Sequence, residues 1–295
     1  MKIFVSGLLN METTVAVRGF PINYYPIDYS FFGVNSAPAG VAYNISLALN
    51  VLGDDVILCS MLGEDFGAEY ILSCLGDKRI GTTYIKKCLA NTPSSAVLYA
   101  PDGTRQIYCD LKDIQDRVFE FDAPAISSAD IVVACNINFN RPLLRMAKEQ
   151  GKIIATDVHV LSNIYDEYNR EFMEYADILF LSDEAVGDNY RDFIYELARV
   201  YKNKIIVMGR GSRGAAIYTA ENGKIYDMDA YSGLPVVNTV GAGDALFSAF
   251  VHFYSKGLSP IEALRRAQAF AAYKIRVTGA SCGFVTESEI ERFVE

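Results

Sequence analysis

The sequence predicts an α/β protein in which a mainly parallel sheet is covered by helices. Short apolar runs rich in Val and Ile recur along the chain, which is typical of buried strands. Stretches with apolar residues at helical spacing stand between several of these runs, as expected where parallel strands are joined by helices. With 295 residues and no evident linker, the chain is predicted to form a single domain, 1–295.

The individual elements follow from this alternation. Gly257 and Pro260 separate the two long helices near the carboxyl terminus, because these residues are typical of a helix end and a helix start. Strands are predicted at 2–8, 56–62, 131–135, 152–156, 178–181 and 204–208, and helices at 42–52, 245–256, 260–277 and 287–294.

Two stretches depart from the alternation. Residues 13–35 are aromatic and interrupted by Pro, whereas 94–100 and 104–108 read as two strands joined by a turn at 101–103. These stretches indicate additional β-structure outside the main sheet.

Composition narrows the class of protein. The net charge is −9 and the 27 Lys and Arg residues are scattered, which disfavours a nucleic-acid surface. Six cysteines without Cys-x-x-Cys spacing read as free thiols in a reducing compartment. Because the apolar runs are too short to cross a bilayer and no signal peptide is recognised, we expect a cytoplasmic protein that does not interact with membranes.

The histidine content excludes further classes. Only His159 and His252 are present, and no Cys/His cluster accompanies them, so zinc hydrolases and Ser-His-Asp enzymes are not expected. His252 is predicted to be a packing residue on the helix that begins at 245.

The most specific motif is Asn238-Thr-Val-Gly-Ala-Gly-Asp244, directly before an apolar helix. Its glycines free the backbone, and the unpaired amides of a helix amino terminus attract an anion. A carboxylate repels phosphate, so Asp244 is better explained as a base that takes the proton of an attacking hydroxyl. The pattern indicates phosphoryl transfer to an alcohol. The alternative is a glycine-rich turn in which Asp244 only complements the helix dipole.

This motif resembles the carboxyl-terminal motif of the ribokinase, or PfkB, family of sugar and nucleoside kinases, and the resemblance extends from Gly7 to about Thr286. It implies a ribokinase-like three-layer α/β/α sandwich with a small β lid from about 12–36 and 90–109. It also implies ATP and Mg²⁺ as cofactors and Asp244 as the general base. The amides of Gly241, Ala242 and Gly243 would stabilise the transferring phosphoryl group.

Two further segments resemble substrate-binding motifs of the family. Asn10-x-Glu12 is similar to a pair that binds substrate hydroxyls, and alternation puts both side chains on one side of an extended chain. Ala39-Gly-Val-Ala-Tyr-Asn44 is similar to Gly-Gly-x-x-x-Asn, so Gly40 and Asn44 are predicted to contact substrate, with capping and packing as the alternative. Together with the aromatic lid, Asn10 and Glu12 favour a ribosyl substrate, and a hexose such as fructose is the second choice.

The nucleotide site is expected near the carboxyl terminus. Residues 209–214 resemble the family's Thr-x-Gly-x-x-Gly turn, and a hairpin turn without a ligand is the alternative. The resemblance assigns the nucleotide to Gly211, Ser212, Gly214, Thr239 and Gln268.

Two departures from the family pattern affect metal binding. The Asn-x-x-Glu motif that organises Mg²⁺ is replaced by residues 181–185, which leaves Asp183 or Glu184 as the candidate carboxylate. Asn238 stands where the family usually has an Asp that helps to hold a monovalent cation together with carbonyls from 279–283. The lost charge argues against strong activation by K⁺.

Two questions stay open at the level of sequence. A degenerate relative that binds a nucleotide or sugar as a sensor is the alternative to an active kinase. The exposed lid strands either cover the substrate alone or also join two copies into a homodimer.

Overall fold

The computed structural model describes residues 1–294 and contains two separate sheets. In chain order the strands are β1 (Lys2–Ser6), β2 (Asn10–Ala16), β3 (Val34–Ala39), β4 (Asp55–Leu62), β5 (Gly81–Lys87), β6 (Ser94–Tyr99), β7 (Arg105–Asp110), β8 (Ile131–Ala134), β9 (Ile153–Val160), β10 (Ile178–Ser182), β11 (Ile205–Gly209), β12 (Ala215–Thr219) and β13 (Lys224–Met228). The helices are α1 (Val41–Val51), α2 (Phe66–Asp77), α3 (Ala123–Ser128), α4 (Arg141–Glu149), α5 (Arg170–Tyr175), α6 (Tyr190–Tyr201), α7 (Ala242–Ser255), α8 (Pro260–Lys274) and α9 (Glu287–Val294).

The larger sheet has nine strands in the order β13-β12-β11-β10-β9-β8-β1-β4-β5. All neighbours from β11 to β5 are parallel, and β12 runs antiparallel to both of its neighbours. The strand order reverses at β1, which lies between β8 and β4. In parallel sheets a crevice opens at such a point, beyond the carboxyl ends of the strands.

Helices cover both faces of this sheet. Alternate residues of β1 point to opposite sides, so Ile3 and Val5 belong to the core formed with α1, α2, α7 and α8, whereas Phe4 belongs to the core formed with α3 to α6. Both cores are built from buried apolar side chains, with partly buried apolar residues packed against them. The predicted three-layer α/β/α sandwich with a mainly parallel sheet is confirmed.

The smaller sheet has four strands in the order β3-β2-β6-β7. β2 pairs in parallel with β6, and the two outer pairs are antiparallel. β6 and β7 match the strands expected at 94–100 and 104–108. β2 begins before the stretch 13–35 and β3 ends after it, and the aromatic residues 17–33 between them form no strand. Because β2 begins shortly after β1 ends, the sheet stands beside the carboxyl edge of the main sheet, where a lid is expected; its closing role remains a prediction.

One predicted boundary is wrong at the end of α8. The helix was expected to reach Val277, but it ends at Lys274. The carbonyl of Ile275 accepts hydrogen bonds from the amides of Val237 and Asn238, at 2.8 and 3.0 Å, which draws the chain into contact with the loop before α7. The helical pattern continues in sequence, but tertiary hydrogen bonds end the helix earlier.

His252 is a buried packing residue on α7, as predicted. Its Nδ1 lies 2.8 Å from Oδ2 of Asp54, and the amino terminus donates to the other oxygen of the same carboxylate at 2.9 Å. Within residues 1–294, no helix is long and apolar enough to cross a membrane.

Candidate active site

Asp244 lies in the first turn of α7, at the carboxyl edge of the main sheet, and is half-buried. Asn44 on α1 donates a hydrogen bond from Nδ2 to Oδ2 of Asp244 over 2.7 Å. The contact joins residues from opposite ends of the chain, because α1 and α7 pack side by side. It fixes the orientation of the carboxylate, and the second oxygen, Oδ1, accepts no hydrogen bond from the described residues.

The groups around Asp244 change its pKa in a way that is compatible with a role as a general base. Burial raises the pKa of Asp244, and the hydrogen bond from Asn44 lowers it. The charges of His159 and Lys274 also lower this pKa, whereas Asp157 raises it. A carboxylate with a raised pKa accepts a proton more readily, and the Asn44 hydrogen bond favours the ionised form, which is the form that acts as a base.

The turn before α7 leaves backbone amides free for an anion. No side chain caps the helix, and the N–H groups of Gly243 and Asp244 have no backbone partner within residues 1–294. The N–H of Ala242 donates to the carbonyl of Thr239 at 3.1 Å. Of the three amides predicted to stabilise the phosphoryl group, that of Ala242 is therefore used within the turn, whereas those of Gly241 and Gly243 have no backbone partner within residues 1–294. The amide of Asp244, which was not part of the prediction, is also available at the helix terminus.

Gly241 is required by the packing of this turn. Its φ is 78°, in the left-handed region, and a Cβ atom would lie 2.6 Å from the carbonyl oxygen of Ala280. The loop therefore rests directly on the backbone of the segment that follows α8.

Polar residues of the small sheet face the same crevice. Asn10 on β2 is 4% exposed and donates from Nδ2 to Oγ of Ser95 on β6 over 2.8 Å. Its Oδ1 and the Oδ1 of Asn44 are both buried, and neither has a hydrogen-bond partner among the described residues. Buried amide oxygens normally accept a hydrogen bond, so both are suited to receive one from a ligand hydroxyl.

Glu12 brings a second carboxylate close to Asp244. Burial raises the pKa of Glu12, the Ser95 hydroxyl lowers it, and the negative charge of Asp244 raises it further. The structure therefore brings four of the predicted residues together at one crevice: Asn10, Glu12, Asn44 and Asp244.

Gly40 has a structural explanation. Its φ is 106°, and a Cβ atom would lie 2.4 Å from the carbonyl oxygen of Leu8. The amide of Ala42 donates to the same carbonyl at 3.2 Å. Gly40 thus allows the start of α1 to approach the chain that follows β1, and this approach positions Asn44.

The sequence model described as pfkB family carbohydrate kinase matches residues 2–286. The chain belongs to this family. It is an ATP-dependent kinase with an alcohol group as acceptor, in the class of sugar and nucleoside kinases.

Individual relatives agree with this assignment at low identity. The chain is 24% identical to 5-dehydro-2-deoxygluconokinase of Clostridium perfringens, covering 88% of this chain and 85% of the relative. It is 23% identical to ribokinase of Dictyostelium discoideum, covering 98% and 99%. The structure of Arabidopsis thaliana ribokinase complexed with ribose and ATP superimposes with a TM-score of 0.83 at 20% identity, covering 99% of this chain and 98% of the other.

In this pfkB-family kinase the turn after β11 carries the residues predicted to bind nucleotide. Gly211 and Ser212 are exposed, and Gly214 has a φ of 87°. A Cβ atom on Gly214 would lie 2.0 Å from the carbonyl oxygen of Met228, so the hairpin of β12 and β13 requires glycine here. Packing against β13 therefore explains the glycine at position 214, whereas Gly211 and Ser212 are exposed and accessible to a ligand.

Gln268 and Thr239 are the other two residues assigned to the nucleotide. Gln268 on α8 is 9% exposed and donates from Nε2 to the Met228 carbonyl at 3.3 Å, which ties α8 to the end of β13. Thr239 is exposed in the loop before α7. Both assignments to the nucleotide stay predictions.

Within residues 1–294 of the pfkB-family kinase, no three or more His, Cys, Asp or Glu side chains cluster so that they could hold a metal ion. Asp183 is buried, and its Oδ2 accepts a hydrogen bond from Arg213 over 2.5 Å. Because this ion pair already engages an oxygen of Asp183, Asp183 is a poor candidate for the carboxylate that organises Mg²⁺. Glu184 is exposed and has no such partner among the described residues.

Three residues near Asp244 were not singled out from the sequence as parts of the site. Asp157 and His159 lie near the end of β9, and the amide of His159 donates to Oδ1 of Asp157 at 2.8 Å. Lys274 is fully buried at the end of α8. Polar residues near the carboxyl end of a buried parallel strand were the signal for Asp157 and His159. No comparable signal existed for Lys274, which stands within a helical pattern.

Proposed function

We propose that this kinase phosphorylates a hydroxymethyl group of a ribosyl compound, either ribose or a nucleoside. The observation that carries the proposal is the group of polar side chains around Asp244: Asn10, Glu12 and Asn44, with two buried amide oxygens that lack partners within residues 1–294. Such a set can bind neighbouring hydroxyls of one sugar ring while a further hydroxyl reaches Asp244.

In the proposed reaction, the free oxygen of Asp244 accepts the proton of the substrate hydroxyl as its oxygen attacks the γ-phosphoryl group of ATP in line. A bond forms between that oxygen and phosphorus, the bond to the β–γ bridging oxygen breaks, and ADP leaves. The amides of Gly243 and Asp244 donate to the transferring group. Mg²⁺ bound with the nucleotide would neutralise part of the charge of its phosphates. With Asp183 paired to Arg213, we expect this ion to be held mainly by the phosphates and water.

The charge of the crevice favours a neutral acceptor. The negative charge of Asp244 raises the pKa of Glu12, which indicates that both carboxylates act within the same poorly solvated space. A sugar that already carries a phosphate would be repelled by both. We therefore expect unphosphorylated acceptors to be preferred over sugar phosphates.

The second candidate is a hexose kinase, because the same side chains can bind hydroxyls of a larger sugar. The test is release of ADP from Mg-ATP with ribose, nucleosides, fructose and ribose 5-phosphate as acceptors. We expect one ribosyl compound to exceed fructose and the phosphorylated sugar in kcat/KM. A preference for fructose would support the hexose kinase, and ATP binding without turnover on any acceptor would contradict both.

The variant Glu12→Gln tests whether the acceptor binds in the crevice beside Asp244. Loss of a hydrogen bond to a charged group costs about 1.5–3 kcal/mol, so KM for the preferred acceptor should rise by about 10- to 100-fold. Glu196→Gln, on the exposed face of α6, is the matched control and should leave KM unchanged. An unchanged KM in Glu12→Gln would remove this residue from the proposed site.

We also propose that the small sheet joins two copies of the chain. The segment between β2 and β3 exposes several large apolar side chains, and Phe31 and Phe32 are 82% and 100% exposed. β7 is an exposed edge strand of the same sheet, in which Ile107 and Tyr108 are each more than half exposed. An apolar patch beside an unpaired strand edge is typical of a protein interface, and a second copy offers the same patch in return.

Analytical ultracentrifugation tests the dimer. We expect the wild-type chain to sediment at twice the mass of one chain and Phe31→Lys to sediment as a monomer. Phe66→Lys is the control, because Phe66 is equally exposed but lies at the start of α2. A wild-type chain that is monomeric at every concentration would contradict the dimer.

A further inference from the structure

Lys274 is the last residue of α8, and its side chain is fully buried. Lysine is rarely buried without a carboxylate partner, because removal of its charge from water is costly. No salt bridge to Lys274 is formed by the part of the chain that the structure describes. Instead, its Nζ donates to the backbone carbonyl of Val240. The kinase reaction as derived above makes no use of this group.

Val240 belongs to the loop that carries the free amides at the start of α7. It directly precedes Gly241, which rests on the carbonyl of Ala280, and its own amide donates to Oδ1 of Asn238 at 2.8 Å. The ammonium of Lys274 therefore lies beneath the proposed phosphate site, where this loop meets the segment that follows α8.

This junction is the place at which the family resemblance implied a monovalent cation, and the residues present do not fit one. The Val240 carbonyl already accepts a hydrogen bond from the Lys274 ammonium, and the side-chain oxygen of Asn238 is engaged by the Val240 amide. Asn238 also brings no negative charge to offset a second cation. An ammonium and a bound metal ion at the same carbonyl would repel each other in a poorly solvated space.

Two features of the surroundings offset part of the cost of burying the charge of Lys274. The carboxyl-terminal end of α8 favours a cation through the helix dipole. Burial lowers the pKa of Lys274, and Cys282 and Asp244 act in the opposite direction. In return, the charge of Lys274 lowers the pKa of Asp244.

We propose that the Lys274 ammonium is a built-in cation that holds the loop before α7 in place and supplies the positive charge beneath the phosphate site, so that this kinase needs no K⁺ or other monovalent cation. Lysine carries a compact point charge on a flexible chain, and this allows it to reach a carbonyl from inside the fold. Lys274 acts through the loop and not on the substrate, which makes it a positioning residue. The inference rests on the kinase activity and not on the choice of acceptor.

The first test measures wild-type ADP release with the best acceptor in buffers that contain choline as the only added monovalent cation. Addition of KCl at matched ionic strength should change kcat by less than twofold. A severalfold activation by K⁺ would overturn the proposal. Thermal unfolding in KCl and in choline chloride gives a readout without turnover, and equal melting temperatures are expected. A higher melting temperature in KCl would indicate an occupied ion site and would also overturn it.

The second test uses Lys274→Met, which keeps the length of the side chain and removes its charge. We expect kcat to fall by about tenfold, which is less than the roughly 100- to 1,000-fold loss caused by removal of a direct transition-state donor, because Lys274 acts through the loop. KCl, NH₄Cl or methylammonium should restore part of the rate, whereas choline should not. Rescue by small cations distinguishes a missing charge from a merely disturbed fold. A variant that folds and keeps full activity without these cations would contradict the proposal.

Lys152→Met is the matched control. Lys152 also donates to two backbone carbonyls, those of Ser127 and Ala129 at 2.5 and 2.8 Å, but it lies at the opposite edge of the sheet, before β9. Its replacement should alter stability without a change in kcat or in the response to K⁺. If the Lys274 variant fails to fold, the response of the wild-type enzyme to K⁺ still tests the proposal. Absence of turnover in the wild type with every acceptor would contradict the proposed function, whereas the unfolding comparison would still test the built-in cation.

Discussion

Asp244→Asn is expected to lower kcat by about 100- to 10,000-fold, which is the usual contribution of a general base. Asparagine keeps the shape of the side chain and can still accept the hydrogen bond from Asn44, but it cannot take the proton of the substrate hydroxyl. Binding of ATP and of the sugar, measured by calorimetry, should change little. Turnover close to that of the wild type would contradict the assignment of the base.

The same substitution should stabilise the protein at neutral pH. Burial raises the pKa of Asp244, so the folded state binds the proton more tightly than the unfolded state does. The folded state therefore loses stability as the pH rises from the unfolded pKa through the folded pKa, and the full cost of the charge is present above both. Asp244→Asn removes this cost.

Thermal unfolding at several pH values checks this consequence. The melting temperature of Asp244→Asn should exceed that of the wild type at pH 7, and the difference should shrink as the pH falls below the normal pKa of aspartate. Asp192→Asn, on the exposed surface of α6, is the matched control and should change neither turnover nor stability. A variant that is less stable than the wild type at neutral pH would show that the charge of Asp244 does not cost stability.

The second large effect is expected for Gly241→Ala. A left-handed conformation costs an L-residue about 1–2 kcal/mol, and the added methyl group would also meet the Ala280 carbonyl. The loop must shift, and the shift displaces the amides of Gly243 and Asp244. Since loss of one such donor commonly lowers kcat by about 100- to 1,000-fold, we expect a loss of that size. This loss of kcat should be larger than the loss of stability, measured as the fall in melting temperature, can account for.

Gly223→Ala is the matched control, because it separates the effect of backbone strain from the effect of displaced amides at the start of α7. Gly223 also has a left-handed backbone, with a φ of 66°, but no atom lies within 4 Å of the position of its Cβ, and it stands in the turn between β12 and β13. Its substitution should cost a similar backbone strain without a loss of kcat. Equal losses of kcat in both variants would mean that Gly241 has no special part in positioning the amides.

The sequence predicted those features that depend on local pattern. The alternation of strands and helices, the second group of β-strands and the helix after Asp244 follow from hydrophobic periodicity, glycine and proline. The site residues Asn10, Glu12 and Asn44 were predicted because short motifs carry them, and the structure brings them to one crevice with Asp244.

Features that depend on long-range contacts could not be predicted. The sequence does not indicate that Asp183 meets Arg213, because the ion pair depends on how the chain turns after β10 and β11. Use of the Ala242 amide within the turn depends on the backbone angles of a few residues. Lys274 could not be recognised, since a lysine in a helical pattern is normally solvated and only tertiary packing reveals that its charge is buried.

The hydrogen bond between Asn44 and Asp244 joins residues that are 200 positions apart, and Lys274 comes later still. During synthesis the strands β1 to β11 can pair before Asp244 or Lys274 has left the ribosome, so a folded sheet precedes a functional site. The nascent chain should therefore bind neither sugar nor phosphate productively until its last helices have docked. Recovery of activity after dilution from denaturant should accordingly lag behind recovery of sheet structure, since it reports the docking of α7 and α8.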